Sequence, residues 1–290
     1  MSDQSKPLYQ YLQISADMIE FTKIHGNGND FIIIDEFNKE VVPDNAKPGF
    51  AQKYCDRRFG IGGDGVLFLS RSNSADMKMR LFQPDRSEAE MCGNGIRCLV
   101  KFAIDAGYIS EGSASVETMA GIMPVDVKSQ GDTAWIKVNM GKPMFDKKDI
   151  PARGEGDFIN VMMEGMEVSA VNTGVPHAVI FVDDLEGIDL DAIAPSVRYH
   201  DIFPKGANVN FVNLAAEGHL NIRTYERGIE GETLSCGTGS VAAAVIAHKL
   251  GMTGVEIKVN TLGGILNITI DGGYAFMEGS ARTVFTGTIL

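Results

Sequence analysis

The two stretches "MCGNGI" at residues 91–96 and "SCGTGS" at residues 235–240 decide the fold of this chain. Each places a cysteine and two glycines directly before a segment with the composition of a helix, "IRCLVKFAIDAG" in one case and "SVAAAVIAHKLG" in the other. A glycine closes each segment, Gly107 and Gly251, as expected at helix C-termini. The sequence therefore predicts two helices that each begin beside a cysteine. The second helix is apolar almost all round, which predicts burial in the middle of its domain.

The surroundings of the two cysteines also resemble each other, which indicates an internal duplication. Three pairs of segments match in the same order in both halves: "GNDFIIIDE" (28–36) with "PHAVIFVDD" (176–184), "MRLFQPDRSEAEMCGNG" (79–95) with "IRTYERGIEGETLSCGTG" (222–239), and "VETMAGIMPVDV" (116–127) with "VNTLGGILNITI" (259–270). The first pair reads as buried strands and the last as hairpins that turn at their glycines. Strands outnumber helices, so we expect an α+β protein of two equivalent units and not a doubly wound parallel sheet.

The predicted boundary between the units lies near "VNMGKP" (138–143), where a strand ends and Gly and Pro begin. The organisation we expect is a polar N-terminal extension (1–17), a first half (18–139) to which a C-terminal strand (279–290) returns, and a second half (140–278).

Composition excludes several classes of protein. The chain has 290 residues, 44% of them hydrophobic, and a formal net charge of −12, which argues against nucleic acid or an anionic membrane as a partner. The N-terminus lacks the apolar core of a signal peptide, and no apolar run is long enough to cross a bilayer. Four cysteines are too few for a disulfide scaffold, and no C-x-x-C pair indicates a metal site. We therefore expect reduced thiols in a cytoplasmic enzyme.

A cysteine at a helix N-terminus meets unpaired N–H groups and the positive end of the helix dipole. Both lower the pKa of a thiol, and the glycines that follow let a carboxylate reach the same N–H groups. If the two halves pack about a pseudo-twofold axis, one sulfur lies on each side of a bound substrate. Such a pair suits a two-base racemase or epimerase, in which one thiolate removes an α-proton and the opposite thiol returns one. This scheme needs no cofactor and no metal.

The sequence resembles the diaminopimelate epimerase family from about residue 19 to the C-terminus. The matching blocks include "FTKIHGNGNDFIIID", "RRFGIGGDGVLFL", "EMCGNGIRC", "NTGVPHAV", "GANVNFV", "YERGIEGETLSCGTGSVA" and "VFTGTIL". The resemblance implies two pseudo-symmetric domains, each a mixed β-sheet or barrel wrapped around a central helix, usually in a homodimer. It implies interconversion of LL- and meso-2,6-diaminopimelate without pyridoxal phosphate, in the biosynthesis of lysine and of cell-wall precursors.

The resemblance also implies roles for individual residues. Cys92 and Cys236 would be the acid–base pair, and His177 and Glu226 would tune the thiol pKa values. The substrate-binding positions would be Asn29, Gln83, Gly93, Asn94, Asn208, Glu226, Arg227, Gly237 and Thr238. Arg227 suits the distal carboxylate of a long dicarboxylate.

Four positions depart from the family pattern. Gln83 stands where many relatives have Asn, and Arg86 where they have Gly; Gly65 and Val175 stand where some relatives have Gln and Asn. These differences affect the binding of the distal amino-acid centre and leave both cysteines in place.

Two alternatives remain open at this point. A proline or hydroxyproline racemase of the same architecture is the nearest enzyme, although "YERG" argues against it because a small cyclic substrate has no distal carboxylate for Arg227. A non-catalytic binding protein that uses the thiols as a switch is the alternative from another class. The remaining cysteines, Cys55 and Cys98, are expected to be inert.

Overall fold

The computed structural model describes residues 18–289, and the predicted extension 1–17 lies outside the described residues. Within the described range the chain forms seventeen strands and four α-helices. In chain order they are β1 (Ile19–Gly26), β2 (Asn29–Glu36), α1 (Lys47–Tyr54), β3 (Gly65–Ser70), β4 (Met77–Phe82), β5 (Glu88–Ala89), α2 (Gly93–Asp105), β6 (Gly112–Thr118), β7 (Gly121–Gln130), β8 (Thr133–Asn139), β9 (Val161–Met163), β10 (Met166–Asn172), β11 (Pro176–Phe181), α3 (Leu190–Arg198), β12 (Asn208–Ala216), β13 (His219–Glu226), β14 (Gly231–Thr233), α4 (Gly237–Lys249), β15 (Glu256–Thr261), β16 (Gly264–Asp271) and β17 (Tyr274–Ile289).

The first half is a closed ring of strands around α2. The strands pair in the order β1, β2, β3, β4, β6, β7, β8 and β17, and β17 pairs with β1 to close the ring. The pairs β2–β3 and β4–β6 are parallel and the others antiparallel, so the sheet is mixed. Apolar residues of α2, such as Ile96 and Leu99, are fully buried inside this ring.

The second half repeats the same pairings around α4. Strands β10, β11, β12, β13, β15, β16 and β17 pair in that order, again with two parallel pairs, β11–β12 and β13–β15. An irregular segment takes the place of the eighth strand: Met140 N donates to Ala275 O at 2.9 Å, and Met144 forms a β-bridge with Asn172. The residues of α4 from Val241 to Ala247 are all buried, as predicted for a central helix. The predicted α+β fold of two similar units is confirmed.

Local details of the predicted repeat are also confirmed. Gly107 and Gly251 follow the two central helices with φ of 73° and 74°, a conformation that glycine adopts without strain. The segments predicted as hairpins form β6–β7 and β15–β16. Arg80 and Arg223, which match in the repeat, each pair with a glutamate on the neighbouring short strand, at 2.7 and 2.6 Å.

Helices α1 and α3 are not predicted by the sequence patterns described above. Each lies in the crossover of a parallel strand pair and covers the outer face of its sheet, as such crossovers require. The α1 segment "KPGFAQKY" carries a proline and a glycine in eight residues, and α3 contains Pro195. Proline and glycine are unfavourable inside helices, so the sequence does not predict a helix in either segment.

The last strand connects both halves. Its first part pairs with β16, its middle with β8 and its last part with β1, where Ile289 lies opposite Ile19. The predicted boundaries 18–139, 140–278 and 279–290 stay a prediction.

Candidate active site

Cys92 is the residue immediately before the first turn of α2. Its backbone is extended, with φ −146° and ψ 114°, and its Sγ accepts a hydrogen bond from Gly95 N at 3.4 Å. The thiol therefore caps the helix in the manner of a serine or aspartate at this position. The side chain is half-buried and lines a cavity of about 470 Å³.

Cys236 has the same place at the start of α4. Its backbone is extended, with φ −112° and ψ 110°, and its Sγ lies 3.5 Å from the hydroxyl of Thr238. It is more deeply buried than Cys92, with 8% of its surface exposed, and lines the same cavity. The structure thus brings both cysteines and both helix starts to one cavity.

Two side chains join the helix starts to each other. Met277 packs between them: a Cβ added to Gly93 would lie 2.7 Å from Met277 Cε, and one added to Gly237 would lie 2.9 Å from Met277 Sδ. A larger residue at either position would therefore have to displace the Met277 side chain. Asn94, in the first turn of α2, donates from Nδ2 to Ser235 O at 3.1 Å.

The cavity collects all but one of the predicted site residues. Those that line it are Asn29, Gln83, Cys92, Gly93, Asn94, Asn208, Glu226, Arg227, Cys236, Gly237 and Thr238. The exception, His177, is fully buried behind Thr238.

Asn29 lies at the start of β2 and is held on both sides. Its Nδ2 donates to Asp64 Oδ2 at 2.6 Å, while its Oδ1 accepts from Asn94 Nδ2 at 3.2 Å and lies 3.9 Å from Cys92 Sγ. Asp64 also lines the cavity. Asp64 belongs to the matching block "RRFGIGGDGVLFL", but the sequence analysis does not predict it as a site residue.

His177 contacts Cys236 through Thr238. Asn210 donates from Nδ2 to Ala178 O at 2.9 Å and to His177 Nδ1 at 3.1 Å, so Nδ1 is the acceptor nitrogen of the ring. Burial lowers the pKa of His177 to about 3, which keeps the imidazole neutral with its hydrogen on Nε2. Nε2 then donates to Thr238 Oγ1 at 2.9 Å, which leaves the Thr238 hydroxyl hydrogen to point at Cys236.

The thiol pKa values correct an expectation from the sequence. Burial raises the pKa of Cys92 to about 11 and raises that of Cys236 still further, and the carboxylate of Glu226 adds to both shifts. Hydrogen bonds from Gly95 N to the first sulfur and Gly239 N to the second oppose the rise without overcoming it. The predicted lowering is wrong because desolvation of the sulfurs outweighs the helix N–H groups.

Glu226 is the last residue of β13, Arg227 follows it, and both line the cavity. Burial raises the pKa of Glu226. Arg227 makes no ion pair with the residues that the structure describes; its Nη1 makes only long bonds to Lys205 O and Gly206 O, at 3.3 and 3.4 Å. Asn208 accepts from Arg227 N at 2.8 Å, so it fixes the backbone that presents this guanidinium.

The four departures from the family pattern differ in position. Gln83 and Val175 line the cavity, whereas Gly65 lies buried outside its lining. A Cβ at Gly65 would lie 2.6 Å from Leu81 Cδ1 and 3.1 Å from Phe82 O, so a side chain there would have to displace Leu81. Arg86 is exposed on the turn that leads to Cys92, and it adopts a φ of 75°.

The other two cysteines lie away from the cavity. Cys98 is fully buried within α2, and Cys55 is buried beside α1 in an outer core cluster. Burial raises the pKa of both thiols, that of Cys55 to about 12. Among residues 18–289, no group of three or more His, Cys, Asp or Glu is arranged to hold a metal ion. None of the helices in that range has the length and apolar character needed to span a bilayer.

Solved structures of other proteins share the fold of the chain. A PhzF-family phenazine biosynthesis protein from Bacillus anthracis aligns with a TM-score of 0.70 at 18% identity, over 94% of this chain and 99% of that one. A hydroxyproline epimerase from Agrobacterium vitis aligns with a TM-score of 0.66 at 16% identity, over 95% and 93% of the two chains. At these identities the likeness shows the fold alone.

Sequence relatives identify the family. The family described as diaminopimelate epimerase matches residues 21–145 and 169–284. Diaminopimelate epimerase from Methanothrix thermoacetophila is 57% identical over 94% of this chain and 96% of its own length. That from Archaeoglobus fulgidus is 48% identical over 93% and 96%. The chain belongs to the diaminopimelate epimerase family and is an epimerase, which confirms the resemblance.

Proposed function

We propose that the chain interconverts LL- and meso-2,6-diaminopimelate by proton exchange between two thiols. The observation that carries the proposal is the presence of Cys92 and Cys236, each at a helix start, on one cavity of about 470 Å³. One thiolate takes the α-proton from one face of the carbon and becomes a thiol. The opposite thiol gives its proton to the other face and becomes the thiolate. In the reverse direction the two sulfurs exchange roles.

The helix starts supply the electrostatic part of the mechanism. In the proposal, the N–H groups of Gly93 and Asn94, and those of Gly237 and Thr238, hold the carboxylate next to the reacting carbon. Negative charge that leaves the α-carbon spreads onto this carboxylate, where two helix N-termini stabilise it. The substrate ammonium group brings a positive charge beside the sulfurs, which favours the thiolate against the burial that raises both thiol pKa values.

The far end of the cavity suits the second amino-acid centre of the substrate. Arg227 makes no ion pair within residues 18–289, and a distal carboxylate would accept from its guanidinium in a fork. Glu226, Asn208 and Gln83 line the same cavity, and in the proposal their oxygens accept from the distal ammonium group. Proline has no distal carboxylate, so this end of the site favours diaminopimelate over the substrate of the racemase alternative.

The remaining parts of the proposal concern the cellular setting. The reaction belongs to the biosynthesis of lysine and cell-wall precursors and uses neither cofactor nor metal. A mechanism that needs two reduced thiols suits the cytoplasm, and the four cysteines are all free. The enzyme works as a homodimer, and each chain is divided into a first half (18–139, with strand 279–290) and a second half (140–278); sedimentation of the purified protein tests this assembly.

Turnover in deuterium oxide tests the mechanism. Incubated with LL-diaminopimelate, the purified enzyme should yield meso-diaminopimelate that carries deuterium at the inverted α-carbon, with no added pyridoxal phosphate or metal. Comparable turnover of proline would favour the racemase alternative. Normal ligand binding with no exchange at all would favour the thiol-switch binding protein.

A further inference from the structure

A chain of hydrogen bonds with a charged group at each end passes beside Cys92. Arg97 donates from Nη2 to Asn94 Oδ1, and Asn94 Nδ2 donates to Asn29 Oδ1 at 3.2 Å. Asn29 Nδ2 in turn donates to Asp64 Oδ2 at 2.6 Å. Every donor in this chain points in the same direction, from Arg97 towards Asp64.

The charged ends determine which way both amides face. A guanidinium has only donors, so the amide of Asn94 must turn its oxygen towards Arg97. A carboxylate has only acceptors, so the amide of Asn29 must turn its NH₂ group towards Asp64. The Asn29 oxygen then faces Asn94 and the Cys92 sulfur, which lies 3.9 Å away.

Arg97 has little freedom to do otherwise. It is fully buried, and its Nη1 donates to Asn27 Oδ1 at 2.8 Å and to Ser280 O at 2.7 Å. No carboxylate within residues 18–289 forms an ion pair with Arg97. Burying a cation without a carboxylate partner costs free energy of folding. The position of Arg97 in α2, close to Cys92, therefore suggests that this side chain contributes to the site.

We propose that Arg97 and Asp64 are positioning residues that fix the amides of Asn94 and Asn29, so that the Asn29 oxygen, and not its NH₂ group, faces the Cys92 sulfur opposite the backbone donor Gly95 N. An amide oxygen accepts a hydrogen bond from a thiol and repels a thiolate. The arrangement therefore favours the protonated, proton-donating form of Cys92. The inference deepens the proposed function, since it assumes that Cys92 carries a proton to the substrate.

Other charged groups also face this sulfur. Glu226, at the end of β13, disfavours the Cys92 thiolate, whereas Arg97, in the helix that Cys92 caps, favours that thiolate. The neighbouring thiols are Cys236 and Cys98. Replacing Asp64 changes charge near the site as well as amide orientation. A test must therefore separate a Coulomb effect from a reoriented amide.

A double-mutant cycle makes that separation. The rate at which iodoacetamide alkylates Cys92 is followed against pH by peptide mass mapping in the full chain, for Asp64→Ala, Asn29→Ala and the double variant. Asp64→Ala removes the acceptor, so the Asn29 NH₂ group becomes free to donate to the Cys92 thiolate. Asp64→Ala should lower the pH midpoint of Cys92 alkylation by about one unit more when Asn29 is present than in the Asn29→Ala background. This is the shift expected for one hydrogen bond to a charged group.

Arg57→Gln is the matched control. Arg57 pairs with Asp64 at 2.7 Å and is largely exposed, and its loss leaves the carboxylate to accept from Asn29. The shift that it causes should be the same with and without Asn29. Should Asp64→Ala not fold, Asp64→Ser gives a smaller shift in the same direction.

Equal shifts of the Cys92 midpoint in both Asn29 backgrounds, or none, would overturn the inference. Alkylation needs no turnover, so the result stands apart from the deuterium experiment. A chain that fails to epimerise can still show the coupling, and an active epimerase can lack it.

Discussion

The starts of α2 and α4 have the same backbone and different chemistry. Asn94 and Thr238 each stand two residues after the cysteine, and Asn29 and His177 match in the repeat that precedes it. Cys92 faces an amide oxygen at 3.9 Å, which can only accept a hydrogen bond. Cys236 faces the Thr238 hydroxyl at 3.5 Å, which can donate one. Duplication has kept the helix starts and replaced the groups that hydrogen-bond to the sulfurs.

This difference suits a reaction that needs two thiols in unlike states. Turnover requires one sulfur with a proton and one without, and two identical environments would leave the proton divided between two equivalent arrangements. The two sulfurs line one cavity, and the Cys92 group adds to the raised pKa of Cys236, so we expect their titrations to influence each other. Each sulfur has one backbone N–H donor, so the difference lies in the side chains: an acceptor beside Cys92 and a donor beside Cys236 bias the distribution of that shared proton.

Removal of either sulfur should have the largest effect. Cys92→Ala and Cys236→Ala should each lower kcat for epimerisation by about 10²–10⁴-fold or more, because one face of the α-carbon then lacks a proton carrier. Cys98→Ala is the control, since Cys98 is buried in α2 away from the cavity, and it should keep most activity. If one of the two cavity variants kept near-normal turnover in both directions, a two-thiol mechanism would be wrong.

Thr238→Val should have the next largest effect and acts on one side only. It removes the donor that faces Cys236, so the pKa of that thiol should rise by about one unit and kcat near neutral pH should fall about tenfold. The pH dependence of alkylation, measured separately for the two cysteine peptides, should shift for Cys236 and stay unchanged for Cys92. Thr238→Ser keeps the hydroxyl and should restore the midpoint; failure of the serine variant to do so would mean that the methyl group, and not the donor, matters.

Much of this site could be predicted from the sequence, because the repeated Cys-Gly-x-Gly marks two helix starts and the family blocks carry the lining residues. The features that could not be predicted depend on contacts between segments that are far apart in the sequence. Asp64 hydrogen-bonds to Asn29 because β2 and β3 pair in parallel across the α1 crossover. A local sequence pattern does not predict a contact between residues so far apart in the chain. The direction of the thiol pKa shifts was mispredicted because burial is a property of the closed cavity, whereas the helix N-terminus is visible in the sequence.

The buried imidazole on the Cys236 side should make the protein sensitive to acid. The pKa of His177 is lowered to about 3 in the fold and is 6.5 in the unfolded chain, so the unfolded state binds the proton first as pH falls. The contribution of neutral His177 to the free energy of unfolding is therefore fully present above pH 6.5. It is lost as the pH falls towards 3, by up to about 1.4 kcal/mol per pH unit. Urea unfolding between these pH values should show a smaller slope in His177→Gln.

His219→Gln is the control for that experiment. His219 is exposed at the start of β13, and its loss should leave the acid slope of the free energy of unfolding unchanged. A slope in His177→Gln equal to that of the parent protein would assign acid sensitivity to other groups. The corresponding position in the first half is Asn29, which does not titrate, so the effect belongs to one helix start.

The smallest effect concerns the loops that lead into the two helix starts. Arg86 precedes Cys92 with φ 75°, and Gly228 precedes Cys236 with φ 96°. Nothing lies within 4 Å of a Cβ at Gly228, so Gly228→Ala should cost only the strain of a left-handed backbone, about 1 kcal/mol in the free energy of unfolding. Arg86→Gly should relieve similar strain and lose a similar amount through the greater freedom of the unfolded chain, for a net change within about 0.5 kcal/mol. Urea unfolding at neutral pH measures both, and a loss of 2 kcal/mol or more in Arg86→Gly would show that the arginine side chain stabilises the first loop.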